Sequence, residues 1–428
     1  MSDVPRPFNQ MTRRHWLGHL ASTALGVPAI QFFSSLEASA QQLRKTNRSC
    51  IVLWMGGGPS HLDIWDLKPD SEKNGGPFRP IDTSAPGVRI SEHLPKMARH
   101  MHQLNIIRSL DSKEGNHDRG TYVMHTGYTP NPTVVHPGWG SYCAVELGER
   151  LENFDLPHCI AINSPGIGAG FLGMSYAPFV VQNPNAPIAN LRAPKDVEAW
   201  RMERRLHMLG QVEDRFAAQR HAQAAIDHKA VYAKTLRMMN SRYQDSFSLD
   251  REPPSVREAY GKGSFGSGCL MARRLVEKGV TYVEVSLDGW DTHTNNFDTL
   301  SKRLLPELDK GMSALMRDLA DRRLLEKTTI IWMGEFGRTP RINQNAGRDH
   351  WPRSWSVVVG GGGMKNGQVI GATDKDGVDV VDHPVSVMDL IATLTKTMGI
   401  NLQTQYTTPR GRPIKIVDGG QPIKELVG

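Results

Sequence analysis

Val280-Thr-Tyr-Val-Glu-Val-Ser-Leu287 is a short, β-branched, largely apolar run that stops abruptly at Asp288-Gly-Trp-Asp-Thr-His293. The arrangement recurs. Thr328 to Met333 leads through Gly334 into Glu335-Phe-Gly-Arg338, and Cys50 to Met55 leads into Gly56-Gly-Gly-Pro-Ser-His61-Leu-Asp63. A fourth polar cluster, Gly347-Arg-Asp-His-Trp351, follows the second. Strands buried on both faces of a parallel sheet read as continuous apolar runs, and ligands of open α/β sheets lie beyond the strands' carboxyl ends. The repeated pattern therefore predicts an α/β protein with a site where these runs end.

Strands and helices alternate along the rest of the chain. Further strands are expected at Asn105–Arg108, Cys159–Asn163 and Ser356–Val359, and helices near His93–His102, from Gly120, over Gly263–Gly279, over Asn296–Leu324 and over Val385–Met398. Pro194 to Arg242 is rich in Ala, Arg, Gln, Glu and Met, and Pro253-Pro254 closes the stretch after it, so one or two exposed helices are expected as an insertion spanning about 194–260.

The chain has 428 residues, 39% hydrophobic and 22% charged, which is ordinary globular material. Its formal charge of +7 is spread along the chain without a basic run or a recognisable nucleic-acid module, so no nucleic-acid partner is expected. Thr12-Arg-Arg-His-Trp-Leu17, the mildly apolar stretch to Leu36 and Ala38-Ser-Ala40 resemble a bacterial twin-arginine export signal. Residues 1–40 are thus expected to engage the twin-arginine translocation machinery, leaving a mature domain over 41–428 that is periplasmic or extracellular and has no stable membrane span. Cys50, Cys143, Cys159 and Cys269 stand singly in or beside apolar segments, which predicts small buried hydrophobes and leaves room for one disulfide.

Carboxylate plus imidazole is the donor mixture that suits zinc, manganese or iron. Asp288, Asp291 and His293 fall within six residues after one buried run. Alone they read more readily as a turn in which Asp288 caps a following helix and His293 packs. Glu335 and Asp349-His350 at comparable strand ends make a shared metal site the stronger reading, with His61 and Asp63 as further candidates. Glu335 directly after an apolar strand needs a partner. Arg338 is either that partner or a bidentate binder of an anionic substrate group. Asp349-His350 reads as a pair of metal ligands or as an acid/base pair in which Asp349 orients His350.

Ile51-Val-Leu-Trp-Met-Gly-Gly-Gly-Pro-Ser-His-Leu-Asp63 with Asp66-Leu-Lys-Pro69, Asp288 to His293, Glu335-Phe-Gly-Arg-Thr-Pro340, Gly347 to Trp351 and Asp389-Leu-Ile-Ala-Thr393 together resemble the DUF1501 family of exported bacterial proteins. That family is similar to the alkaline phosphatase and sulfatase superfamily. The resemblance implies a three-layer α/β/α sandwich with a mostly parallel sheet and a hydrolase site binding a divalent metal, with zinc, manganese, iron or calcium as candidates. No C/S-x-P-x-R motif occurs, and alignment on Thr126-Gly127 puts His117 where the superfamily's nucleophile stands, with Thr121 one turn on. The expected function is metal-dependent hydrolysis of a small or polymeric phosphate or sulfate ester, with His117, Arg338 and His350 as catalytic candidates. The alternative is a catalytically silent exported binding or assembly protein on the same fold.

Overall fold

In a computed structural model of the protein, residues 48–148, 154–188, 191, 197–220 and 223–427 are described, all within the unit Arg48–Gly428. The twin-arginine pair and the stretch to Ala40 lie outside the described residues. Among the described residues nine strands form the main sheet: β1 Ser49–Trp54, β2 Leu104–Asp111, β3 Cys159–Ile162, β4 Phe179–Val181, β5 Tyr282–Ser286, β6 Thr328–Met333, β7 Trp355–Gly361, β8 Val369–Ile370 and β9 Val385–Ser386. They lie in the order β8-β2-β7-β6-β1-β5-β3-β4, with β9 also paired to β2. Every pairing is parallel except the two made by β7, which runs antiparallel to β2 and β6.

β1 sits between β5 and β6 and is buried along its whole length. Strand side chains alternate between faces. Ile51, Leu53 and Met55 accordingly enter one core, with α5 (Ser264–Lys278) and α6 (Leu305–Asp321), while Cys50, Val52 and Trp54 enter the other, with α2 (Trp139–Cys143) and α7 (Val387–Thr397). Each fully buried aliphatic side chain contributes roughly 1.5–3 kcal/mol. Two apolar cores on opposite faces of one sheet make the three-layer α/β/α arrangement that was expected. All four cysteines are free and buried.

Several elements differ from the expectation. The segment near His93–His102 is a 3-10 helix, Met97–Gln103, and the helix expected from Gly120 starts three residues earlier as α1, His117–Thr126, because the side chain of Asn116 caps it by accepting from the Arg119 amide at 3.2 Å. The long helix after Asn296 contains a π turn at Leu300–Leu304. β4, β8 and β9 were not expected, being edge strands of only two or three residues. Within the expected insertion, among the described residues, lie two long helices, α3 Ala199–Arg220 and α4 Gln223–Met239, and a short third one, Pro254–Tyr260. No helix among the described residues is long and apolar enough to cross a membrane.

Candidate metal and catalytic site

Three loops leave the carboxyl ends of adjacent strands and meet the N-terminus of α1. The β1 loop carries Gly56 to Gly58, the β5 loop Asp288 to His293, and the β6 loop Glu335 to His350. Gly57 holds the first loop against the second: its φ is +115°, and a Cβ there would stand 2.4 Å from the Asp291 amide nitrogen. Its amide donates to Glu335 Oε1 at 2.8 Å, and its carbonyl accepts from Arg338. The glycines thus serve close backbone packing, with the Gly57 amide spent on Glu335.

Asp291 is the hub. His117 Nε2 lies 3.3 Å from its Oδ2, while His293 Nε2 and His350 Nε2 lie 3.0 and 3.3 Å from its Oδ1. In each of the three imidazoles the other nitrogen is tied outward. His117 Nδ1 donates to Glu335 Oε1 at 2.7 Å, His293 Nδ1 to Asp349 Oδ1 at 2.6 Å, and His350 Nδ1 to the Gly115 carbonyl at 2.8 Å. Such outer acceptors fix the tautomer and aim Nε2 inward, as second partners do around metal-bound histidines. Ligand atoms of His117, Asp291 and His350 all lie within 4.8 Å of one another, and His293 touches two of the three. One atom left over supports a cation at this spot: His117 Nε2 is buried and makes no hydrogen bond, though it faces Asp291. A neutral imidazole set with one carboxylate fits a divalent transition ion.

The charges are set by neighbours. Burial works to raise Asp291, but the guanidinium of Arg338, with His117 and His293, holds its carboxyl down to about 2. The hydrogen bond to Glu335 raises His117, and burial lowers His350. Burial, with the charge of Glu335 behind it, raises Asp288.

The structure separates the candidate residues into groups. His117, Asp291, His293 and His350 converge, and Glu335 and Asp349 stand behind them as partners of His117 and His293. The expectation that Asp349 orients His350 is corrected: it orients His293. Arg338 was a candidate binder of a substrate anion, but it is fully buried. Its fork donates to the carbonyls of Gly58 at 2.8 Å, Arg348 at 3.1 Å and Gly57, and to Asp291, so it braces the site from below. Asp63 was a candidate ligand, but it is buried in a two-pronged pair with Arg348, at 2.8 and 3.0 Å, and accepts from Asn296 Nδ2 at 2.9 Å. His61, also buried, donates from Nε2 to the Gly377 carbonyl at 3.1 Å. Neither reaches the cluster. Asp288 lies beside Gly56, where a Cβ would meet its Oδ1 at 2.4 Å, and outside the converging group. Two contributors were not foreseen: the Gly115 carbonyl, and Phe336, fully buried with its ring 5.0 Å from that of His117 and 4.7 Å from that of His350. Phe336 stood within the quoted Glu335-Phe-Gly-Arg338, whereas a backbone carbonyl such as that of Gly115 leaves no trace in a sequence.

Fold and site define a mostly parallel α/β protein with a histidine and carboxylate cluster at the carboxyl ends of its central strands. The chain belongs to the family described as "Protein of unknown function (DUF1501)", matched over residues 47–427. No curated protein matches it. Solved structures to which it is similar include the alkaline phosphatase from the Antarctic bacterium TAB5, at 10% identity over 83% of this chain and 98% of that one, TM-score 0.36. Another is Ps i-CgsB in complex with k-i-k-neocarrahexaose, at 10% identity over 83% and 72%, TM-score 0.37. A third is the lipoteichoic acid synthase LtaP from Listeria monocytogenes, at 8% identity over 89% and 76%, TM-score 0.36.

Proposed function

We propose that this protein is an exported, metal-dependent hydrolase of phosphate or sulfate esters, with one divalent ion held by His117, Asp291, His293 and His350. The observation that carries the reading is the convergence of three imidazole Nε2 atoms on one carboxylate while each Nδ1 is occupied elsewhere. A bound ion supplies positive charge that polarises the ester and acidifies water at the site. The chain's own groups do the rest. Arg338 keeps Asp291 ionised, Glu335 and Asp349 hold His117 and His293 in one tautomer, and Phe336 closes the floor against water. His117 then acts as a ligand and not as a covalent nucleophile, since its Nδ1 donates to Glu335 and its Nε2 turns toward Asp291. Thr121, one turn further along α1, is not needed as a nucleophile.

The test is turnover of p-nitrophenyl phosphate and p-nitrophenyl sulfate by the full chain loaded in turn with zinc, manganese, iron and calcium, beside the His293→Ala/Asp349→Ala double variant. The reading expects activity with at least one ion and its loss in the variant. Equal turnover by both proteins would sink it. Folded, metal-loaded protein that turns over neither ester would favour the binding or assembly role.

Export through the twin-arginine route to the periplasm or beyond belongs to the same reading and rests on Thr12 to Leu17 and Ala38-Ser-Ala40. Replacing Arg13 and Arg14 by Lys should hold the protein in the cytoplasm in a fractionation assay; unchanged export would refute that part alone.

A further inference from the structure

Helix α3, Ala199–Arg220, carries Trp200, Arg204, Met208, Val212 and Phe216 at every fourth position. At 3.6 residues per turn these positions drift slowly around the helix and, with Arg201, Arg205 and Arg215 between them, cover a sector of about 160°. All eight are exposed; Trp200 is 60%, Met208 58%, Val212 65% and Phe216 49% accessible. Ten large hydrophobic side chains stand exposed among the described residues, and four of them are on this one face. None of the four arginines forms an ion pair with a described residue. Of the helix's three acids, Glu213 pairs with His228 and Asp214 with Lys229, both on α4, and Glu203 is exposed but lies outside this sector. Met202, Leu206 and Leu209, the less accessible apolar residues of the helix, lie off the exposed stripe.

We infer that this face is a docking surface for an anionic lipid membrane, into whose interface Trp200, Met208, Val212 and Phe216 insert while the four arginines meet lipid phosphates. Large apolar groups interleaved with arginines and free of acids match an interface that is apolar within and anionic at its rim. A second copy of the same face is a poorer partner, because pairing it with itself opposes eight guanidinium groups. A sulfated or phosphorylated glycan is also poorer: it gains from Trp and Arg, but Val212 and Met208 offer it neither stacking nor charge. The surface is independent of the histidine cluster and stands whether or not that site is hydrolytic.

The test uses the full chain and vesicles of phosphatidylcholine alone or with about one third phosphatidylglycerol, read by co-sedimentation and by hydrogen exchange over residues 199–216. Val212→Ser/Phe216→Ser and Arg204→Glu/Arg205→Glu change only exposed positions, and their thermal unfolding should match the parent's. The expected result is partitioning to the phosphatidylglycerol vesicles, slowed exchange in 199–216, and binding weakened about tenfold or more in each double variant. Partitioning that survives both variants would assign the membrane contact to another part of the chain and overturn the inference. So would absence of partitioning, self-association abolished by Val212→Ser/Phe216→Ser, or binding of dextran sulfate at this face without binding of vesicles.

Discussion

The Nε2 atoms of His293 and His350 stand 3.0 Å apart. Each ring already donates its Nδ1 proton, one to Asp349 and the other to the Gly115 carbonyl. In their neutral forms the two nitrogens therefore face each other as bare lone pairs, an arrangement that is favourable only with a cation or a proton between them. The buried Nε2 of His117, which makes no hydrogen bond, faces the other oxygen of Asp291 at 3.3 Å.

One ion per chain is expected by elemental mass spectrometry on protein purified without chelator, with His350→Ala and Asp291→Ala reduced to background. Because the ion binds only the folded chain, free metal at a hundredfold its Kd should stabilise by about 2.7 kcal/mol, seen as a rise in Tm that a chelator reverses. Full occupancy in His350→Ala would be incompatible with the cluster as the metal site.

Asp63 and Arg348 provide the contrast, as a fully buried ion pair at one of the same strand ends. Removing one partner of such a pair costs about 3–5 kcal/mol because the other charge is left uncompensated. Asp63→Asn should therefore lower the denaturation midpoint strongly while leaving metal stoichiometry unchanged under native conditions. Loss of metal without loss of stability would return Asp63 to the ligand set.

A second buried pair, His125 with Glu284 at 3.0 Å, ties α1 to β5, and Tyr282 donates to the same carboxylate oxygen at 2.9 Å. Burial opposes both charges, yet each partner outweighs it: Glu284 is held below its ordinary 4.5 and His125 above its ordinary 6.5. The contribution of Glu284 is present above its unfolded value and fades as the pH falls through its lowered folded value. That of His125 is present below its unfolded value and fades as the pH rises through its raised one. The pair's contribution should thus be fullest between pH 4.5 and 6.5 and decline on either side. A pH series of urea midpoints checks this, and a profile unaltered by Glu284→Gln/His125→Asn would contradict it.

Gly57→Ala should be far more harmful than an alanine elsewhere in that loop. It places a methyl 2.4 Å from the Asp291 amide at a φ of +115°, where a non-glycine residue is strained by roughly 1–3 kcal/mol before any clash. Both Tm and metal occupancy should fall, since the displaced neighbour carries the hub carboxylate. Retention of both would mean that the two loops separate without cost.

The three strand ends were legible because burial on both faces demands continuous apolar runs, and β6 matches its run residue for residue. Which carboxylate faces which imidazole was not legible. Asp349 and His350 are neighbours in sequence, but Asp349 takes the Nδ1 proton of His293 while His350, its own Nδ1 held by the Gly115 carbonyl, turns Nε2 to Asp291 and to the other nitrogen of the same His293 ring. That division of partners depends on Gly115 and His293, which lie far from Asp349 and His350 in the chain. Asp63 and Arg348 are 285 residues apart, a separation at which periodicity says nothing about pairing. Arg338 looked available because guanidinium groups are usually exposed; its burial depends on carbonyls of the β1 loop that only the folded chain brings near. The antiparallel turn of β7 was hidden for a similar reason, since an apolar run has no direction.

That reversed strand gathers the site's support into one segment. Because β7 returns beside β6 without a crossover helix, the excursion from Gly334 to Ser354 leaves and re-enters the sheet at one place, and it carries Glu335, Arg338, Asp349 and His350. One of the four proposed donors, His350, thus rides on the same excursion as Glu335, Arg338 and Asp349, which hold His117, Asp291 and His293 in place. A single change there reaches every donor of the site while β1, β5 and the two cores beneath them are untouched.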